Sequence, residues 1–250
     1  MTNDDPIPAA TLIAWRDPVD GEDPTILVVQ RSAKMAFAAG AIVFPGGRVD
    51  QEDREIANSI GRPDQAGRVT AIRETLEESA VAVGISGVRD AAHGLILQSQ
   101  LLSGTTFSQL LQTEGLTLDI DALTPFARWM PAFKQPRKFD TIFYVAGAPP
   151  GDWQPNPQQG ECVAAEWASP TAILSRIAEG KDAAIFPTKR NLERLAQFTR
   201  LEQLTSHAQA HSMDTIIPWV EDYEGEKHVT IPGGRGYPII REPLATAFRA

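Results

Sequence analysis

Residues 71–78 read Ala71-Ile72-Arg73-Glu74-Thr75-Leu76-Glu77-Glu78, placing three carboxylates within little more than one helical turn. At about 100° per residue, Glu74, Glu77 and Glu78 share one sector of a helix, while Val69, Ile72, Leu76 and Ala80 gather on the opposite side. The apolar side is expected to face a core. Like charges three and four apart destabilise a helix by roughly 0.2–0.5 kcal/mol per pair, and only Arg73 stands close enough to offset them. A divalent cation would be a natural partner, because hard ions such as Mg²⁺ take oxygen ligands and bridge carboxylates to substrate phosphates. Taken by itself, however, the stretch fits an acidic, solvent-facing helix better than a metal site.

Upstream of this helix, Thr11 to Trp15 and Ile26 to Gln30 read as strands separated by the turn-rich Asp17-Pro18-Val19-Asp20-Gly21. A short apolar run, Ala41 to Phe44, is stopped by Pro45-Gly46-Gly47, and Arg48 to Gly67 reads as a loop-like segment leading into the acidic helix. Downstream, apolar spacing between about Val88 and Leu123 is helical and suggests a small helical insertion. Strand character returns at Phe126 to Met130, Thr141 to Ala146 and Cys162 to Ala168. Helical patterns follow at Pro170 to Glu179 and Lys189 to His211, and the tail from Ile216 is mixed. Strands at both ends with helices between them predict a mixed β-sheet covered by helices, an α/β sandwich.

With 250 residues and 42% hydrophobic content, the chain is expected to form one domain, 1–250, with insertions near 48–67 and 88–123. A net charge of −9 and the lack of a basic stripe argue against nucleic acid as a partner. An acidic protein that handles an anionic phosphate needs a metal, or local Arg and Lys, to offset repulsion. Cys162 is the only cysteine, which excludes an intramolecular disulfide and a thiolate zinc cage and favours a reducing cytoplasm. The N-terminus Met1-Thr2-Asn3-Asp4-Asp5-Pro6 does not read as a signal peptide. The apolar run Met35 to Phe44 is too short to span a bilayer.

Read with Gly46-Gly47 before it, the segment Arg73-Glu74-x-x-Glu77-Glu78 resembles the Nudix box, the signature of hydrolases that cleave a nucleoside diphosphate linked to another moiety. The family pattern is Gly, five residues, Glu, seven residues, then Arg-Glu, an apolar position, any residue, Glu-Glu, any residue, Gly and an apolar position. Here 26 positions separate Gly47 from Arg73, 12 more than that pattern has. Thr75 takes the apolar place, Ala80 replaces the closing Gly, and Glu52 and Asp53 both stand as candidates for the first Glu.

An interrupted box is a feature of the branch that contains the peroxisomal acyl-coenzyme A diphosphatases, and other segments resemble that branch. These are Phe37-x-x-Gly40-Ala41-x-Val43-Phe44-Pro45-Gly46-Gly47, Arg128-Trp129, Pro136-Arg137-Lys138-Phe139-Asp140-Thr141, Glu161, Trp167 and Phe186-Pro187-Thr188. Gln30-Arg31-Ser32 with the following glycines is similar to the extended motif of coenzyme A-cleaving members, although the second Arg of that motif is missing around Lys34 and Ala36. Arg31 suits a substrate contact and a surface strand end equally.

The resemblance implies a Nudix-type α/β/α sandwich and Mg²⁺- or Mn²⁺-dependent hydrolysis of a diphosphate, with coenzyme A or acyl-coenzyme A as the expected substrate. ADP-ribose, NADH and dinucleoside polyphosphates, or a non-catalytic metabolite-binding domain, are the rivals. It implies Glu74, Glu77 and Glu78 as metal ligands, with the Gly46 carbonyl as a further oxygen. Arg73 suits a bidentate grip on a glutamate rather than metal contact. Glu74 or Glu161 is expected to take the proton from water, Glu161 being chosen because it lies just before the Trp167 strand. Arg31, Arg128, Arg137 and Lys138 are expected to meet phosphate oxygens. The partner is then a small-molecule nucleoside diphosphate derivative, without nucleic acid or membrane, and a homodimer is allowed because Nudix enzymes are often dimers. His207 and His211, spaced i, i+4, lack a third zinc ligand and suit a solvated helix face. Gly233-Gly234-Arg235-Gly236 reads as a turn, not a phosphate-cradling loop. Gly84-Ile85-Ser86-Gly87 lacks the spacing of a nucleophile elbow.

Overall fold

The computed structural model describes residues 5–19, 21–35, 38–131 and 138–247. Strands β1 (Ile7–Arg16) and β2 (Thr25–Arg31) precede two very short strands, β3 (Ile42–Val43) and β4 (Gly46–Arg48), and then helices α1 (Gln51–Ser59) and α2 (Ala66–Ser79). Next come β5 (Ile85–Ser86), α3 (Ala91–Leu102), α4 (Phe107–Glu114) and β6 (Thr117–Leu118). Strands β7 (Thr124–Trp129), β8 (Phe139–Gly147) and β9 (Cys162–Ala168) complete the main sheet. Helices α5 (Pro170–Ala178), α6 (Phe186–Leu195) and α7 (Leu201–Gln209) lead to a second sheet of β10 (Trp219–Tyr223), β11 (Glu226–Thr230) and β12 (Arg241–Pro243), and to the short α8 (Leu244–Ala247).

The main sheet is mixed, as expected. β1 runs parallel to β8 from Ile7 to Trp15, whereas β2 pairs antiparallel with both β1 and β9. β1 and β2 meet only at Trp15–Ile26 and Arg16–Thr25 and then splay apart. The gap is filled by β3 on β2 and by β4 on β1, with Gly46 opposite Thr11 and Gly47 opposite Ala10. Between them the Pro45 carbonyl accepts the Leu12 N–H at 2.9 Å. The glycine pair is thereby wedged into the sheet.

Side-chain alternation along β1 supplies two cores, since successive residues of a strand point to opposite faces. Ala10, Leu12 and Ala14 pack with Val69, Ile72 and Leu76 of α2. Ile13 and Trp15 pack with Ile173, Leu192, Leu195 and Leu204 of α5, α6 and α7. Both faces are covered by helices, which is the α/β/α sandwich, and explains why Ile26-Leu27-Val28-Val29 is apolar without alternation.

Two expectations need correction. The segment 48–67 is not a plain loop: it contains α1 and a 3₁₀ turn at Pro63–Gln65. Only Asp53, Ile56 and Ala57 of α1 are buried, too few apolar positions to leave a periodic signal. The helical pattern from Lys189 to His211 is two helices, α6 and α7, interrupted between 195 and 201. The 88–123 region carries α3 and α4 as expected. Arg137 lies outside the described residues. Among the described residues no helix is long and apolar enough to cross a membrane.

Candidate active site

Helix α2 is buried nearly all round, so its acidic sector is not a solvated face. Glu78 is only 2% exposed, and its Oε2 accepts the Gly46 N–H at 3.1 Å. Glu74 lies against Gly47 so closely that a Cβ there would collide with Glu74 Oε1. At Gly46 a Cβ would strike the Ala10 carbonyl oxygen at 2.5 Å. Both glycines are therefore required for close approach, one to a carboxylate and the other to the β1 backbone. The helix ends at Ala80, which adopts the left-handed conformation (φ 61°) usual for glycine. Thr75, in the place of an apolar residue, is buried and returns its hydroxyl to the Ala71 carbonyl at 2.7 Å.

Arg73 connects the carboxylates. Its Nε and NH2 donate to the two oxygens of Asp53 at 2.9 Å each, and its NH1 donates to Glu74 at 3.0 Å and to Glu77 at 3.2 Å. The bidentate partner is thus an aspartate on α1, not one of the helix glutamates as expected. Asp53 also accepts the Thr70 hydroxyl and the Asp50 N–H, so its oxygens are well satisfied although it is fully buried. Of the two candidates for the first Glu, Asp53 is the one that makes these contacts. Glu52 instead accepts the N–H and hydroxyl of Ser108. Five residues separate Gly47 from Asp53, as in the family pattern, so the extra residues follow Asp53 and form the rest of α1 and the turn beyond it.

Burial raises the pKa of Glu74 to about 7, with the Arg73 charge opposing and Glu77 adding to the rise. Burial and the neighbouring Glu74 charge push Glu78 up to about 8, against the Gly46 N–H and the Arg31 charge. Glu77 is raised by burial, opposed by Arg73. Burial works against the Arg73 charge, but the Asp53 hydrogen bonds and the Glu74, Asp53 and Glu77 charges outweigh it and raise its pKa. This is a donor set whose charge a cation would stabilise, since a nearby positive charge favours the ionised carboxylate. Among the described residues, no three His, Cys, Asp or Glu side chains are already gathered for a metal. One oxygen of each of Glu74 and Glu77, Oε1 and Oε2 respectively, accepts Arg73 NH1.

Arg31 and Glu161 join this cluster. Arg31 ends β2 at an irregularity in its pairing with β9, opposite Cys162, and its buried Nε has no hydrogen-bond partner. Its charge and that of Glu161 both act on Glu78. The Glu161 carbonyl accepts the Ser32 N–H at 2.7 Å, fixing the backbone while its side chain stays exposed. Cys162 beside it is buried, which pushes its thiol up to about 12, with Glu78 adding to the rise.

The remaining candidates are placed elsewhere. Arg128 is paired with Asp140 through contacts of 2.8 and 2.5 Å. It lies across β8 and β1 from Gly47, in the row Arg128–Ile142–Ala10–Gly47, about 14 Å away at the usual strand spacing. Lys138 is half-buried, its carbonyl accepting the Ile7 N–H. His207 is not on a freely solvated face: its ring packs on Phe198 and His211 at centroid distances of 4.8 and 4.2 Å. Sequence reasoning missed Thr70, and had only the five-residue spacing from Gly47 as a signal for Asp53.

Comparison with known proteins places this geometry. A NUDIX hydrolase from Alicyclobacillus acidocaldarius of known crystal structure is 31% identical, aligning over 81% of this chain and 96% of its own with a TM-score of 0.68. The acyl-coenzyme A diphosphatase NUDT19 of Gallus gallus is 24% identical over 84% of this chain and 77% of its own length. A Caenorhabditis elegans protein provisionally named nudix hydrolase 7 is 28% identical over 69% of this chain, which spans 56% of that relative's length. No protein-family model matches the chain.

Proposed function

The chain belongs to the Nudix hydrolase family, and from that premise we propose that it hydrolyses the diphosphate of coenzyme A or an acyl-coenzyme A, giving 4′-phosphopantetheine or its acyl form and adenosine 3′,5′-bisphosphate. The observation that carries the reaction class is the placing of Glu78 on the Gly46 N–H and of Glu74 against Gly47, with Arg73 bonded to both Glu74 and Glu77 and the Arg31 charge acting on Glu78. Similarity to an acyl-coenzyme A diphosphatase over most of the chain supports the substrate.

Glu74, Glu77, Glu78 and the Gly46 carbonyl are the groups that would hold Mg²⁺ or Mn²⁺. When bound, such an ion neutralises bridging phosphates and lowers the pKa of the attacking water. Arg73 orients Glu74 and Glu77 while Asp53 carries its charge. Arg31, whose charge acts on Glu78, is assigned to a phosphate oxygen, and Arg137 and Lys138 are further cations assigned to substrate phosphates. Arg128 is a weaker assignment of the same kind, its guanidinium being taken by Asp140. Water adds across one P–O bond of the bridge, and its proton passes to Glu161 or Glu74.

Product analysis over coenzyme A, acetyl-coenzyme A, ADP-ribose, NADH and diadenosine polyphosphates tests the reading. Coenzyme A compounds are expected to be cleaved with Mg²⁺ or Mn²⁺ and spared after chelation, and folded Glu78→Gln to be inactive. Consumption of ADP-ribose with coenzyme A left intact would overturn the substrate. Binding without turnover on the whole panel would make the protein a sensor.

A further inference from the structure

The run Pro155-Asn156-Pro157-Gln158 contains two prolines, so Asn156 and Gln158 hold its only main-chain N–H groups. Both are directed to the C-terminal end of α2. Asn156 N–H donates to the Ser79 carbonyl at 2.8 Å, and Gln158 N–H donates to the Glu78 carbonyl at 3.2 Å. The next carbonyl back, that of Glu77, accepts Gln98 Nε2 from α3 at 2.8 Å. The last carbonyls of a helix have no intrahelical donor. Here three successive ones are served from outside, and two of them belong to Glu77 and Glu78.

Gln98 is polar yet only 2% exposed. Its Nε2 also donates to the Asn156 carbonyl at 2.9 Å, and its Oε1 accepts Asn156 Nδ2 at 2.7 Å. This amide pair joins α2, α3 and the loop before β9. The prolines flanking Asn156 restrict the loop backbone, Pro157 through the residue before it and Pro155 through its own φ. Beyond the clamp, the Gln158 carbonyl accepts the Cys162 N–H at 3.0 Å and the Glu161 carbonyl accepts Ser32 N–H. Glu161 is therefore held between Ser32 on one side and the Gln98–Asn156 pair on the other.

We infer that Gln98 and Asn156 are positioning residues, whose amide pair sets the loop carrying Glu161 in register with the carboxylates of Glu77 and Glu78. The inference rests on the proposed active site and on the role given there to Glu161. Neither residue is assigned a contact with substrate. Small displacements of reacting groups cost rate steeply, by about a hundredfold for 1 Å, so the effect belongs in kcat.

The test uses the full chain with acetyl-coenzyme A and Mg²⁺, or ADP-ribose if coenzyme A compounds are inert. Gln98→Met keeps the volume and removes the hydrogen bonds. Asn156→Ala lies at the surface and keeps the test open should Gln98→Met fail to fold. Each variant with a cooperative melt is expected to lose roughly tenfold or more in kcat while KM stays within about threefold. In a Glu161→Gln background neither substitution is expected to lower kcat further. Unchanged kcat in both folded variants beside an impaired Glu161→Gln overturns the positioning role alone, as do losses that multiply with that of Glu161→Gln. Full activity of Glu161→Gln by itself overturns the role of Glu161 first, and the clamp with it.

Discussion

Arg73 grips Asp53 through two parallel hydrogen bonds, Nε to Oδ1 and NH2 to Oδ2, both 2.9 Å long, across 20 positions of sequence. The fork ties α1 to α2 and leaves NH1 facing Glu74 and Glu77. A planar guanidinium does this better than an ammonium because its donors match a carboxylate edge while one remains free.

Removing Asp53 leaves a buried guanidinium without its bidentate partner. Asp53→Ala is expected to lower unfolding free energy by about 3 kcal/mol, whereas Glu52→Ala costs less than about 1 kcal/mol. Denaturant titrations of both variants decide the matter. Equal losses would mean that the fork does not hold α1 in place.

The two glycines fail differently. Gly47→Ala drives a methyl into Glu74 Oε1, which can swing away, so activity is expected to fall by roughly tenfold or more with a modest change in melting. Gly46→Ala meets the Ala10 carbonyl and Thr11 Cα, backbone that cannot yield, and is expected to destabilise by about 1–3 kcal/mol. Thermal melts run beside turnover separate them. A Gly47→Ala protein with full activity would remove Glu74 from the reaction.

Among the described cations, Arg31 acts on Glu78 through its charge, whereas Arg128 is committed to Asp140. Arg31→Ala is therefore expected to reduce kcat/KM by roughly tenfold or more, and Arg128→Ala by less than about threefold. Steady-state kinetics with the cleaved substrate provide the check. The reverse ranking would move the substrate toward the β7 edge.

Burial, then the Arg194 charge and then His211 push the pKa of His207 down to about 4 from the ordinary 6.5, with Gly236 opposing. The unfolded chain therefore binds this proton first as the solution is acidified, so stability falls between about pH 6.5 and pH 4. His207→Gln removes that contribution and is expected to lose less stability than the parent over the same interval. Denaturant midpoints at the two pH limits report it, and identical acid losses would refute it.

How much of this was legible beforehand varies with the range of the interaction. The acidic sector of α2 and its apolar opposite side could be read because side-chain directions repeat along the chain with the period of the helix. Helix α1 could not, since its few buried residues, Asp53, Ile56 and Ala57, mix an acid with two apolar groups and mimic a polar loop. The Gln98–Asn156 pair left no trace, because its partners stand 58 positions apart.

The order of residues by itself determined that three glutamates would share one helix sector behind an interrupted glycine-to-arginine spacing, and with it the family. It did not determine what that sector faces. Glu78 is buried because β1 and β2 splay and admit Gly46-Gly47 between them, and Arg73 takes Asp53 because α1 folds back onto α2. Both follow from packing between segments distant in the chain, where register and close approach, not local spacing, decide which charge meets which donor.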